Sequence, residues 1–125
     1  MPHELRQWPP SVYPNEIEEF PEAREAIDAA LNEMRLQGPS PLGYHVKNLG
    51  RSKNFLWQLN LKVQKRQIRI LYAPYKNTIV VFRIHKKSSP QEQQDAYIVA
   101  MNRKKQAERL IQSAGGVTHG LTILH

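Results

Sequence analysis

The chain has 125 residues, no cysteine, 40% apolar residues and a formal net charge of +7. That length suits one domain with a modest core, and the apolar share argues against a disordered basic tail. Without cysteine there are no disulfides, thiolate metal sites or cysteine nucleophiles, and no apolar run approaches the ~18 residues of a membrane helix.

Four of the nine prolines fall in the first twenty residues. They leave room for a short extended piece at Glu4–Trp8, which Pro9-Pro10 should end. The opening Met-Pro-His-Glu-Leu lacks the basic-then-apolar layout of a signal peptide, so a soluble cytoplasmic protein is expected. Asn15 can cap a weak turn running to Phe20. In Pro21–Gln37, Ala23, Ala26, Ile27, Ala30, Leu31 and Met34 recur at helical spacing, and Gly38-Pro39 stops the helix. Gly38–Gly43 is a loop, and Gly43–Asn48 can add a strand. Phe55–Val63 alternates Trp57, Leu59, Leu61 and Val63 with Gln58, Asn60 and Lys62, a period of two. Gln64-Lys65 is a turn. Gln67–Ala73 puts Ile68, Ile70 and Tyr72 on one face and Gln67, Arg69 and Leu71 on the other. Pro74–Asn77 reads as a second turn. Thr78–His85 is the most apolar strand, so it should be central. Ser89 caps a last helix, with Pro90 in its first turn and Glu92 at the third position. That helix runs to about Gln112, and Gly115-Gly116 ends it. Val117–His125 alternates weakly, as an edge strand or a mobile tail. The order predicts an α+β fold: a helix, an antiparallel meander, and a closing helix.

The charges are sorted along this order. Residues 1–33 carry eight carboxylates against two arginines. From Glu33 to Glu92 no acidic residue occurs, while twelve Lys/Arg do. A basic block on the strands points to a polyanion, most simply nucleic acid. Hard cations need carboxylate oxygens, which the block lacks, so no metal or cofactor is expected there. RNA brings its own nucleophile, the 2′-OH. Cleavage then needs a base, a cation for the phosphate charge and an acid for the 5′ oxygen. Arg83, His85 and Lys87 alternate at a strand end, Arg69 lies on the preceding strand, and Lys47 or Arg51 can close the groove from the loop side. Tyr72, Tyr75 or Tyr97 can stack on a base, although Tyr72, Trp8 and Trp57 also fit a core. Lys62, Lys65 and Arg66 flank a turn and guard an edge.

Three segments carry a resemblance: Leu56-Trp57-Gln58-Leu59, then Gln67-Ile68-Arg69-Ile70-Leu71-Tyr72-Ala73, then Ile79 through Ser88 with its Phe82-Arg83-Ile84-His85-Lys86-Lys87-Ser88 end. In order and spacing, with Val46-Lys47-Asn48-Leu49 upstream, they resemble the RelE/ParE superfamily, closest to its HigB-like, phage-derived branch. Gln58 stands where that branch usually has glutamate. The resemblance covers roughly residues 23–110 of a single domain with a core about 15–112 and a tail 113–125. It implies an N-terminal helix or helical hairpin and a C-terminal helix on a 3–5-stranded, mainly antiparallel sheet.

The resemblance further implies a toxin of a type II toxin–antitoxin system that cuts mRNA on the ribosome without a metal. Arg69 would contact the phosphate, and His85 or one of Lys47, Lys86 and Lys87 would move protons. Arg83, Arg51, Lys53, Lys62, Arg66, Tyr72 and Tyr97 would bind RNA. Partners would be the ribosome, mRNA and a cognate antitoxin, acidic or helix-turn-helix-containing, with no membrane. The ParE-like alternative is a non-nuclease toxin that binds DNA gyrase. A plain RNA-binding module is a third reading.

Overall fold

Alternation in the middle of the chain becomes a four-strand antiparallel meander. The computed structural model describes residues 2–13, 15–115 and 121–124. Its strands are β1 (Glu4–Gln7), β2 (His45–Asn48), β3 (Trp57–Val63), β4 (Arg66–Tyr75), β5 (Thr78–Lys86) and β6 (Thr122–Ile123); its helices are α1 (Arg24–Gln37) and α2 (Pro90–Ala114). Short 3-10 turns at Asn15–Ile17, Pro21–Ala23 and Arg51–Lys53 join them. The sheet order is β2-β3-β4-β5-β1-β6, with β1 parallel to β5 and every other pair antiparallel. The protein is therefore α+β with a mixed sheet, and six strands replace the expected three to five. The sheet also takes in Glu4–Gln7 and Thr122–Ile123, outside the expected 15–112 core. The expectations for Gly116 and for residues 117–120 lie outside the described residues.

The helices lie on opposite faces of the sheet. Ile27, Ala30, Leu31 and Met34 of α1 pack with Leu59, Ile68, Ile70, Tyr72, Ile79, Val81 and Ile84. Ala100 and Ala107 of α2 pack with Leu71, Ala73, Val80 and Phe82. Both faces of β5 are thus buried, which is why it reads as an uninterrupted apolar run. α1 ends at Gly38, whose φ of +101° favours glycine and where a Cβ would come within 3.1 Å of the His3 ring.

Two local features depart from the expected strands. Pro74 and Tyr75 belong to β4, so the turn is shorter than Pro74–Asn77. Pairing with β3 stops at Trp57 opposite Tyr72, so Pro74 lies on an open edge where its missing N–H costs no ladder bond. The second is a bulge. Tyr72 pairs with Val81 and Leu71 with Arg83, leaving Phe82 without a partner on β4. The extra residue reverses the strand's parity. Before it, even-numbered Val80 and Phe82 face α2; after it, odd-numbered Arg83 and His85 do.

α2 begins as its sequence requires. The Ser89 hydroxyl accepts from the Glu92 amide at 3.2 Å, and Pro90 occupies the first turn. Ser89→Ala should cost about 1 kcal/mol, read as a lowered midpoint in urea with unchanged m-value.

Candidate nucleic-acid interface

The α2-facing side of the sheet is divided. Its apolar half, built on Leu71, Ala73, Val80 and Phe82, packs under α2. Its other half is polar, because cross-strand pairing brings polar residues into register. One row runs His45, Asn60, Arg69, His85 across β2, β3, β4 and β5. Beside it runs Lys47, Gln58, Leu71, Arg83. Lys62 pairs with Gln67, whose carbonyl accepts from the Lys87 amide at 2.7 Å. Lys47, Lys62 and Lys87 are exposed around the rim.

The first turns of α2 reach over this half. The Tyr97 hydroxyl donates to Gln58 Oε1 at 2.8 Å and accepts from Arg69 at 3.1 Å. Arg69 also donates to Gln93 Oε1 at 2.5 Å, and Gln93 donates back to the Ser88 carbonyl. Gln58 donates to Asn60 at 3.1 Å, and Asn60 lies 3.0 Å from His45 Nδ1. Lys53, on its 3-10 turn, stands 5.5 Å above the Tyr97 ring. A hydrogen-bonded network thus links β2, β3 and β4 to the start of α2.

His85 sits at the end of the first row, 6% exposed, with its ring edge-on to Tyr97 at 6.4 Å. Burial pushes its pKa down from 6.5 to about 4, against a raising contact with the Lys86 carbonyl and aided by the Arg83 and Arg69 charges. The ring is neutral at pH 7. Its Nδ1 lies 3.2 Å from the Lys86 carbonyl. A carbonyl only accepts, so that contact assigns the proton to Nδ1 and leaves Nε2 as the lone-pair nitrogen. Among the described residues nothing pairs with His85 Nε2, Arg69 Nε or Arg83 Nε, although all three are buried. A cleft of about 80 Å³, lined by Glu19, Arg83, His85, Lys86, Ser88, Glu92 and Ala96, adjoins the His85 and Arg83 groups. That volume admits one small group and no nucleobase.

The remaining expected residues are distributed unevenly. Tyr72 does not offer a face to RNA: it is fully buried on the α1 side, and its hydroxyl donates to the Pro39 carbonyl. Tyr97, on α2, faces the polar half, but burial between α2 and the sheet denies it a stacking partner; it acts as a strut instead. Arg66 pairs opposite Val63, on the α1 side, and is bound to Glu22 at 2.7 Å. Arg83 reaches the polar half but is held by Glu16 at 2.9 Å. Arg51 is exposed on the same 3-10 turn as Lys53, and Lys86 is exposed beside the cleft.

Asn60 and Gln93 were not singled out from sequence, and Gln58 only as a departure from the resembled branch. Gln58 and Asn60 did carry a signal, since period two puts them on the face of Lys62. Glu16 carried none, being 68 residues from the Ile84 amide that it accepts. Among the described residues no helix is long and apolar enough to cross a membrane, and no three His, Asp or Glu side chains gather as a metal would need. No family model, no curated protein and no solved structure matches this chain.

Proposed function

We propose that this protein is a toxin of a type II toxin–antitoxin system, of the RelE/ParE superfamily and its HigB-like branch. It acts as a metal-independent endoribonuclease on ribosome-bound mRNA in the cytoplasm. The observation that carries the reading is the cross-strand pair Arg69–His85, set in a polar half-sheet ringed by Lys47, Lys53, Lys62 and Lys87. The order of a helix, a meander and a closing helix, with the motif segments on β3, β4 and β5, supports the RelE-like arrangement.

The proposed chemistry follows the tautomer. His85 Nε2 accepts the 2′-OH proton. The 2′ oxygen attacks phosphorus, and the Arg69 guanidinium stabilises the charge that develops on the phosphate oxygens. A lysine ammonium from Lys47, Lys86 or Lys87 protonates the departing 5′ oxygen. The products are a 2′,3′-cyclic phosphate and a 5′-hydroxyl. The small cleft favours approach by the sugar–phosphate rather than by a base. An acidic antitoxin covering the basic rim is the matching partner.

Induced expression in bacteria, with mRNA ends and DNA integrity followed together, tests this. Discrete, codon-linked cuts in translated messages support it. Growth arrest with intact mRNA and broken DNA would favour the gyrase-binding alternative, and binding to RNA without cuts or arrest would leave a plain RNA-binding module.

A further inference from the structure

The acidic head meets the basic face at one buried carboxylate. Glu16, on the 3-10 turn Asn15–Ile17, has a side chain only 11% exposed. Its Oε1 lies 2.9 Å from an Arg83 nitrogen and accepts from the Ile84 amide at 3.0 Å. Its Oε2 accepts from Arg103 of α2 at 2.6 Å, and Arg103 also donates to the Phe82 carbonyl at 2.7 Å. The reason these groups are free lies in the sheet. β1 pairs with β5 only as far as Gln7 opposite Val81, with the Trp8 amide adding one bond to the Val81 carbonyl. Beyond that point β5 has an open edge, at the bulge, beside the cleft.

We propose that Arg83, Arg103 and the Ile84 amide form an oxyanion cradle that takes a phosphodiester of a nucleic-acid strand, and that Glu16 occupies it in the free protein. Two guanidinium groups and one backbone N–H converging on a carboxylate are the donor set that a phosphate uses. The same Arg83 keeps a buried Nε–H with no partner among the described residues, next to the cleft that Glu19 also lines. A phosphate of the strand, seated in the cleft, takes that Nε–H and displaces Glu16 from the other side of the guanidinium. The head is then an internal competitor: its net charge offsets half of the basic block and lowers the affinity of the free protein for polyanions. The choice of RNA as the strand rests on the reading above; the cradle does not.

E16Q keeps an acceptor for the Ile84 amide and removes the charge. Full-length E16Q is expected to bind a fluorescent single-stranded RNA about tenfold more tightly than the unaltered protein, with a steeper loss of affinity as salt rises. Adding R103A to E16Q should cancel that gain. Unchanged or weaker binding by E16Q overturns the proposal and leaves Glu16 a structural clasp.

Should E16Q fold poorly, hydrogen exchange on the unaltered protein gives the same decision. Saturating RNA should speed exchange in residues 15–20, and exchange that stays the same there overturns displacement. Cleavage is scored separately: tighter binding with uncut RNA keeps the cradle and removes the nuclease reading, and cut RNA with no gain in affinity does the reverse.

Discussion

Arg69→Ala should lower single-turnover RNA cleavage by about 10²–10³-fold, the usual cost of losing one donor aimed at a developing oxyanion. The side chain has two duties, and they separate in measurement. Its NH1 holds Gln93 and Tyr97, so truncation leaves the Gln93 oxygen without its donor and costs about 1–2 kcal/mol of stability. Its buried Nε–H has no partner among the described residues and is the donor left for a phosphate. Arg69→Lys keeps a charge but loses the fork, so it should bind RNA nearly as well as the unaltered protein and still cut slowly. A variant that loses cleavage only in proportion to its lost fraction folded would assign Arg69 a structural role alone.

His85 should make the fold acid-labile. Its pKa falls from 6.5 to about 4 on folding because the buried ring resists a charge beside Arg83 and Arg69. The unfolded chain therefore takes up a proton at higher pH than the folded one. Stability from this residue is complete above pH 6.5, is lost as pH falls towards about 4, and changes no further below. The full loss is about 3 kcal/mol, a large share of a small domain's stability. Denaturant midpoints across that window should slope upward with pH in the unaltered protein and be flatter in His85→Gln. Equal slopes in the two proteins would mean that His85 titrates as it does in water. Carboxylates titrate in the same range, so the difference between the two proteins isolates the histidine.

Much of this was legible in the sequence, for physical reasons. Period two placed Arg69 away from Ile68 and Ile70, and an arginine between apolar neighbours needs partners, which Gln93 and Tyr97 supply. The Ser89 cap, Pro90 and the apolar run of β5 are local signals, and each formed the element that it encodes. What stayed hidden is non-local. The parallel pairing of β1 with β5 joins residues more than seventy positions apart. The bulge at Phe82 has no glycine to announce it, yet it decides that Arg83 and His85 face α2. The acid-free window, read as a bare basic surface, in fact carries carboxylates from outside it. Glu16 binds Arg83, Glu22 binds Arg66, and Glu19 and Glu92 line the cleft beside His85. The charge sorting along the chain thus serves contact between the head and the block as well as any partner. Tyr72 shows the limit of residue type alone: an aromatic in a strand fits a base or a core equally, and only the register decided for the core.

The proposed cleavage through the RNA 2′-OH at the Arg69–His85 pair is decided by a message carrying a single 2′-deoxynucleotide on the 5′ side of a mapped cut. In translating ribosomes with the purified protein, that one cut should vanish while neighbouring cuts persist, and the surviving products should end in a 2′,3′-cyclic phosphate and a 5′-hydroxyl. A cut that persists at the deoxy position, with a 5′-phosphate end, would contradict it.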